Sequence, residues 1–344
     1  MTYIIGEIGQ NHNGSVDIAK LIIDFAAHPI KEELFGLDLL PMNAVKLTKR
    51  DLSEELCDSQ MSRLYETPNS FGKTYGEHRA FLELNDEEHL ECYTYAKSYG
   101  LDFVETLCAI GCLSLLKLFT PDYLKVASRD LTNLPLLKAL AETKIPMILS
   151  TGMAGKKELD NALDVITKEH NSISILHCVS QYPTEPKNTN LNTIKFLKKK
   201  YSQYKIGYSD HTVGIATPIA AVAMGAEIIE KHITLDRRMK GTDQAGSLGT
   251  DGINRMVRDI RILEMSFGKE EIFIDRSVQV AKEKLERSIA TTRIIKKGEL
   301  ISEKDLHLLS PGDGYKWIEK NLVIGKKVNN DIARNEIIYD TNII

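Results

Sequence analysis

The sequence lacks any long apolar segment. No stretch approaches the roughly 20 consecutive apolar residues that a helix needs to span a bilayer, although 42% of the 344 residues are hydrophobic. The opening residues, MTYIIGEIGQNHNG, also lack the basic region and apolar core of a secretory signal peptide. We therefore expect no membrane partner for this chain.

Cysteine is scarce, and no two cysteines form a CxxC pair. The five thiols are odd in number, which argues against a disulfide framework, and their scattered positions do not match a metal-binding pattern. Reduced thiols are typical of cytoplasmic proteins, so we predict a cytoplasmic localisation.

An excess of charge of either sign is also missing. The 44 basic and 48 acidic residues give a net charge of −4 and are spread along the chain. The sequence contains neither the basic stripe of a nucleic-acid-binding face nor a block of like charges. We therefore expect no nucleic-acid partner.

The GxGxxG fingerprint of a dinucleotide-binding sheet is absent, which disfavours an open doubly wound sheet. Eight short apolar runs rich in β-branched residues are present, and helix-length amphipathic segments separate most of them. Eight such alternations over about 265 residues predict a (β/α)8 TIM barrel. The predicted strands are residues 3–9, 43–48, 102–106, 123–128, 146–151, 172–178, 205–210 and 226–232.

The pattern changes after Gly268, where the runs become shorter and glycine turns separate them. We predict a barrel over residues 1–268, a linker over 269–284 and a small β-rich domain over 285–344. A long polar connection, residues 49–84, follows the second predicted strand. In a TIM barrel, such a loop lies at the C-terminal face, where active sites are built.

Polar residues follow the predicted strands at their C-terminal ends, which a barrel brings to one shared opening. Burying an unpaired charge is costly, so this set favours a binding site over a core. Its lysines and hydroxyl groups suit a phosphate beside a carboxylate. The set comprises Glu7, Lys46, Thr106, Lys125, Ser128, Ser150, Thr151, Ser180, Tyr182, Ser209, His211, Glu230 and His232.

Two histidines stand at the ends of adjacent predicted strands, His211 in GYSDHTVG and His232 in AEIIEKH. Imidazoles near a carboxylate fit a divalent transition metal that keeps positions open for water and substrate. The two rings could equally hold loops by hydrogen bonds. The residues alone leave both interpretations open.

Seven motifs occur in the order and at the spacings of a known family. GEIGQNHNG, AVKL, YLKVASRD, ILSTGM, HCVSQYPT, GYSDHT and IEKHITLD resemble the sialic acid synthase family, and the C-terminal TTRIIKKGELISEKDL is similar to its small antifreeze-like (SAF) domain. Members of this family condense phosphoenolpyruvate with an aldose to form a nine-carbon 2-keto acid and release phosphate. The resemblance covers nearly the whole chain and implies a transferase of this type.

The resemblance also implies roles for individual residues. His211 and His232 would bind a divalent metal, typically Mn²⁺, with Glu230 beside it, and Glu7 would lie near the reacting centre. A hexosamine-like aldose would contact Asn69, Tyr182 and Asp243. Phosphoenolpyruvate would lie against Lys46, Thr106, Lys125, Ser128, Ser150 and Ser209. In the family the SAF domain covers the barrel of a second subunit, which implies a domain-swapped homodimer.

Three positions depart from the family pattern. Thr48 replaces a Gln, Ser180 replaces an Asn, and Ser310 occupies the place of an Arg in the C-terminal domain. We therefore expect the same reaction on an aldose other than N-acetylmannosamine. The alternatives are a phosphoenolpyruvate-dependent synthase of a shorter 3-deoxy-2-keto acid and a non-catalytic sugar-binding barrel.

Overall fold

The computed structural model describes all residues from Met1 to Ile344. It divides into two compact units, Met1–Gly268 and Lys269–Ile344. The predicted linker 269–284 falls within the second unit and contains most of a short helix. None of the helices combines the length and the apolar character that a membrane crossing requires.

The first unit is a closed barrel of eight parallel strands, as the sequence predicts. Its strands follow the spatial order β1-β10-β9-β8-β7-β6-β5-β4, and β4 pairs with β1 to close the sheet. The twelve strands of the chain are β1 (Tyr3–Gly9), β2 (Ile30–Glu32), β3 (Leu37–Leu39), β4 (Ala44–Lys49), β5 (Asp102–Leu107), β6 (Tyr123–Val126), β7 (Met147–Ser150), β8 (Ile173–Cys178), β9 (Lys205–Asp210), β10 (Ile228–His232), β11 (Ser288–Thr291) and β12 (Leu306–Leu309).

The longer helices cover the outside of the barrel with apolar faces. In α1, for example, Ala19, Ile22 and Ile23 are buried and Ser15 caps the N-terminus. A 3₁₀ segment, Gly111–Lys117, takes the place of a helix between β5 and β6. The α-helices are α1 (Val16–Ala27), α2 (Leu52–Glu55), α3 (Asp58–Met61), α4 (Tyr75–Phe81), α5 (Asp86–Ser98), α6 (Leu134–Glu142), α7 (Lys156–Ile166), α8 (Asn192–Lys200), α9 (Ala216–Ala223), α10 (Thr250–Ser266) and α11 (Gln279–Leu285).

An apolar layer fills the interior of the barrel below its polar opening. It consists of Ile5, Ala44, Val104, Ile148, Leu176 and Ile228. Because side chains two residues apart share a face of a strand, the residue two positions after each of these also points inward. Those next residues are Glu7, Lys46, Thr106, Ser150, Cys178 and Glu230. The period of the strands thus places a polar layer directly above an apolar one.

Two connections contain structure that the sequence analysis did not predict. The lengthened return from α1 to β4 folds into an antiparallel hairpin of β2 and β3. The 49–84 connection contains three short helices, α2 to α4, rather than an irregular loop. Their N-caps explain the order, since Asp51 caps α2 and Thr74 forms a capping box with Glu77 at α4.

The second unit has a small apolar core of its own. In it β11 pairs with β12 in antiparallel fashion. Isolated bridges, such as Ile295 with Ile332, connect the remaining extended segments. The core residues are Ile289, Ile295, Ile301, Leu306, Val323, Val328, Ile332 and Ile338.

Candidate active site

A cavity of about 390 Å³ opens at the C-terminal end of the barrel. This volume lies in the range of pockets that bind small molecules. All of the predicted site residues line it except Thr151, Ser180 and Asn69. The predicted residues that line it are Glu7, Lys46, Thr48, Thr106, Lys125, Ser128, Ser150, Tyr182, Ser209, His211, Glu230, His232 and Asp243.

Strand register brings two buried carboxylates and two buried lysines together on the floor of this cavity. Glu7 lies opposite Lys46 in the β1–β4 pairing, and the two side chains form an ion pair. The Nζ atoms of Lys46 and Lys125 lie 3.7 and 3.9 Å from the carboxylate oxygens of Glu230. The four charges compensate one another, which makes their burial tolerable.

The protonation states on the floor follow from this arrangement. Burial lowers the pKa of Lys46 to about 8, with Glu230 opposing the shift and Lys125 adding to it, so Lys46 is still mostly charged at neutral pH. Burial raises the pKa of Glu230, but Lys125 and Lys46 together outweigh burial and hold that pKa below its usual range. Glu230 also accepts a 2.9 Å hydrogen bond from Ser209. Both groups are therefore ionised at neutral pH.

Backbone conformation makes room for the Glu7 carboxylate. Gly9 has a φ of +52°, a value that L side chains rarely adopt. A Cβ at Gly9 would come within 2.6 Å of Oε1 of Glu7. A glycine at this position is therefore required both by the turn and by the carboxylate beneath it.

His211 and His232 converge at one side of the cavity, with ring centroids 5.4 Å apart. Nδ1 of His211 lies 2.9 Å from the carbonyl oxygen of Val179, which orients the ring. Nδ1 of His232 is buried without a hydrogen-bond partner. The Tyr182 ring packs against the His211 ring, with the two ring centroids 4.0 Å apart.

The two histidines suit a divalent metal. Burial lowers the pKa of His232 to about 4, with Asp243 opposing and His211 adding to the shift, and burial also lowers the pKa of His211. Both rings are therefore neutral at pH 7, the form that binds metals. No group of three or more His, Cys, Asp or Glu side chains is arranged to hold a metal. A metal held by these two histidines would keep its other positions for substrate and water.

A second buried ion pair supports the histidine-bearing strands from behind. Lys231 Nζ lies 2.6 Å from Asp210, and both side chains are fully buried. Asp210 also accepts hydrogen bonds from the Tyr208 hydroxyl and the Thr212 backbone amide. Because neighbours along a strand face opposite sides, this pair lies on the outer face of β9 and β10. It holds the two strand ends together.

The structure puts two predicted sugar contacts outside the cavity wall. Ser180 lies behind it, where its hydroxyl is 2.6 Å from that of Ser128. Asn69 is exposed in the 49–84 segment, and its backbone amide donates to Thr67. Asn69 is therefore not at the predicted position, because Tyr65 and residues of α4 line the cavity and Asn69, which lies between them in the sequence, does not.

Several wall residues were missed by the sequence analysis. Arg50 and Arg129 approach from different elements and share Glu55, at 2.9 and 3.0 Å. The YGEHR motif of α4 contributes three more, Tyr75, His78 and Arg79, and its capping box was the available signal. The missed residues are Gln10, Arg50, Tyr65, Tyr75, His78, Arg79, Arg129, Met153, Cys178 and Thr242.

Comparison with known proteins finds similarity along the whole chain. Residues 40–272 match the NeuB family and residues 286–344 match the SAF domain. Human N-acetylneuraminate-9-phosphate synthase is 32% identical, with 98% of this chain and 91% of the human protein covered. The N,N'-diacetyllegionaminic acid synthase of Legionella pneumophila is also 32% identical, covering 96% and 91%. The solved N-acetylneuraminic acid synthetase of Leptospira borgpetersenii, in complex with citrate, superposes with a TM-score of 0.67 at 31% identity, covering 81% and 90%.

Proposed function

The chain belongs to the NeuB family, and from this premise we propose that it is a nonulosonic acid synthase that uses phosphoenolpyruvate. It condenses phosphoenolpyruvate with an aldose to a sialic-acid-like 2-keto acid and releases phosphate. The observation that carries this proposal is the buried Glu7–Lys46–Glu230–Lys125 cluster beside the two neutral histidines. Such a cluster joins anion binding, proton transfer and metal binding in one cavity.

The lysines and hydroxyl groups on the floor bind phosphoenolpyruvate in this proposal. Lys46 and Lys125 neutralise its phosphate and carboxylate, while Thr106, already 3.3 Å from Lys46 Nζ, holds the lysine in place. The buried Ser150 hydroxyl has no partner and is free to donate to an incoming oxygen. Ser128 and Ser209 complete the hydroxyl lining of the cavity.

His211 and His232 would hold a divalent metal, which we propose to be Mn²⁺. When bound, such a metal polarises the aldehyde oxygen of the open-chain aldose. Val179 and the Tyr182 ring fix the orientation of His211 in advance. The site therefore defines where the aldehyde carbon lies relative to the floor.

Glu7 handles the proton of the attacking water. The methylene carbon of phosphoenolpyruvate attacks the aldehyde carbon, which forms the new C–C bond and leaves a cationic centre at the enol carbon. Water adds there, and Glu7 accepts one of its protons and passes it to the alkoxide that the aldehyde has become. The tetrahedral adduct then loses hydrogen phosphate by C–O cleavage, with the proton of its hydroxyl group leaving on the phosphate, to give the ketone. Lys46, which forms an ion pair with Glu7, also stabilises the departing phosphate.

The sugar-facing Thr48 favours an aldose other than N-acetylmannosamine. Thr48 lines the cavity and is shorter than the Gln that resemblance to the family predicts, so the cavity offers more room and lacks that amide group. A buried polar group of the substrate that lacks a hydrogen-bond partner weakens binding by roughly 1–3 kcal/mol. The SAF match supports this function over a synthase of a shorter 3-deoxy acid, and the intact floor supports it over a non-catalytic barrel.

Phosphate release from phosphoenolpyruvate, measured with Mn²⁺ and a panel of hexosamines and their 6-phosphates, tests the proposal. Lys46→Met should lower kcat at least about 100-fold, because a buried cation at a developing charge is worth several kcal/mol. Lys49→Met is the matched control, since Lys49 lies on the same strand but pairs with Asp86 outside the cavity. Phosphate release that is absent with every aldose would refute the proposed function.

The metal is tested separately by melting temperature. Mn²⁺ should stabilise the wild type, because a ligand that binds only the native state raises its unfolding free energy. His211→Ala should abolish both this stabilisation and the activity. Full activity in the presence of a chelator would rule out the metal.

A further inference from the structure

Three arginines line the cavity, and carboxylates neutralise two of them. Arg50 pairs with Glu55 at 2.9 Å and with Glu83 at 3.4 Å. Arg129 pairs with Glu55 at 3.0 Å and with Asp130 at 3.3 Å. These two guanidinium groups are therefore engaged within the protein.

Arg79 differs, because no carboxylate lies within salt-bridge distance of it. Its Nε donates a 2.9 Å hydrogen bond to the Tyr75 hydroxyl, and its guanidinium lies 5.1 Å from the centroid of the Tyr75 ring. One amino nitrogen, Nη1, donates at 2.7 Å to Oε1 of Gln10. The other makes no hydrogen bond. Arg79 is thus a half-buried cation, held rigidly by neutral partners, with donor capacity unused.

Gln10 supplies a second unused donor at the same place. Because Arg79 can only donate, the Gln10 oxygen must face it, which fixes the other end of the amide as the NH₂ group. The Gln10 side chain is 7% exposed and lines the cavity, and its Nε2 has no partner. A buried donor without an acceptor is costly, so this position is suited to an external acceptor.

The neighbourhood of α4 is also positively polarised. Lys240 lies over the Phe71 ring, 4.8 Å from its centroid, and Phe71 stacks on His78. Burial lowers the pKa of His78, and the charges of Arg79 and Lys240 lower it further, with Asp243 opposing them. Lys240 therefore adds to the positive potential around Arg79, and no carboxylate pairs with Arg79 to neutralise it.

We infer that Arg79 and Gln10 bind a phosphate monoester on the aldose, at the end away from its aldehyde. This inference rests on the proposed function and names its substrate class as phosphorylated aldoses. A phosphate dianion offers several acceptor oxygens, which suits donors that arrive from two elements, α4 and the end of β1. Lys46 and Lys125 on the floor remain available for phosphoenolpyruvate.

Steady-state kinetics with a hexosamine, its 6-phosphate and the corresponding hexuronate test this inference. The wild type should show kcat/KM highest for the 6-phosphate. In Arg79→Gln, the ratio of kcat/KM for the 6-phosphate over the neutral sugar should fall about 10- to 100-fold, as expected for a charge-assisted hydrogen bond. The KM for phosphoenolpyruvate should stay at the wild-type value in Arg79→Gln. Arg63→Gln, an exposed arginine of the same segment outside the cavity, should keep the wild-type ratio.

The possible outcomes separate this inference from the proposed function. A wild type that turns over neutral and phosphorylated aldoses equally, or an unchanged ratio in Arg79→Gln, overturns the inference while the function stands. If the wild type prefers the hexuronate, Arg79 and Gln10 bind a carboxylate rather than a phosphate, and the phosphate assignment is overturned. If no aldose is turned over, the function fails, and melting temperature still tests the site. A hexosamine 6-phosphate should stabilise the wild type more than Arg79→Gln, and equal stabilisation overturns the inference.

Discussion

Glu230 links the anion-binding lysines to the rest of the floor. Its oxygens lie near Lys46 and Lys125 and accept from Ser209, and the register of β9 and β10 puts Ser209 directly opposite. Since the two lysines keep its pKa low, Glu230 cannot serve as a proton donor at neutral pH. In the proposed mechanism Glu230 holds both lysines charged and in position, and the proton transfer is assigned to Glu7.

His12, in the turn after β1, makes the stability of the barrel pH-dependent. Its ring is buried, Nδ1 accepts from the Gly14 amide, and burial lowers its pKa to about 3, with His89 adding to the shift. Between that value and about 6.5 the unfolded chain binds a proton at this site and the folded chain does not. Stability therefore falls as the pH drops through this window.

We predict that His12→Asn flattens this dependence. Asn offers an acceptor where Nδ1 stood but does not titrate, so the slope of unfolding free energy against pH should decrease by up to about 1.4 kcal/mol per pH unit. Urea unfolding between pH 4.5 and 6 measures it. His28→Asn, which removes an exposed imidazole, is the control and should keep the wild-type slope. An equal slope in wild type and His12→Asn would contradict the assignment.

At the scale of elements, the two-residue period with which side chains alternate along a β-strand explains why most of the site could be predicted. Glu7, Lys46 and Glu230 each stand two residues after a buried apolar residue on a strand whose sequence is distinctive. Closure of the barrel then brings these three side chains close together, so no further sequence signal is needed to predict that they form one site. The polar residues at the strand ends could therefore be predicted from the sequence, although the distances between their charged atoms could not.

The 49–84 segment was not predictable to the same degree. Its helices are short, and α2 and α3 bury no residue, so no apolar period marks them in the sequence. Arg79 and Gln10 meet only because α4 lies across the turn after β1, a tertiary contact that local patterns do not encode. Asn69 was expected at the sugar from the resemblance to the family alone, and in this segment it is exposed.

The capping box of α4 offers a test of how this element shapes the cavity. Thr74→Ala removes the acceptor of the Glu77 amide and should cost about 1 kcal/mol of local stability. Because α4 carries Tyr75 and Arg79, the KM for the aldose should rise while the KM for phosphoenolpyruvate changes little. Asn85→Ala removes the corresponding cap of α5, outside the cavity, and should leave both KM values unchanged. Equal effects of the two variants would exclude a specific role for α4.

At the scale of the whole molecule, the second unit is compact and has its own core, and resemblance to the family leads us to propose a domain-swapped homodimer. Ser310 stands where the family has an arginine, and its hydroxyl donates to the Leu285 carbonyl within the same unit. The swap would then close the site rather than bind the sugar.

This arrangement predicts a dimer by light scattering at micromolar concentration. A chain ending at Gly268 should still be stabilised by Mn²⁺, because both histidines remain, but it should lose most turnover. The Mn²⁺-induced rise in melting temperature shows that the shortened barrel is folded. A monomeric full-length protein, or full activity of the shortened chain, would count against the swap.

The reaction residues sit on strands whereas the α4 wall comes from an inserted segment, and this has an evolutionary consequence. Changes to Glu7 or Lys46 disturb a buried network that spans several strands, so we expect few of them to be compatible with function. Most positions within residues 49–84 are exposed or half-buried, so we expect more changes to be tolerated there. If the proposed roles hold, we expect recombination confined to this stretch to change the sugar that a descendant accepts in a single event, with the bond-forming groups inherited intact.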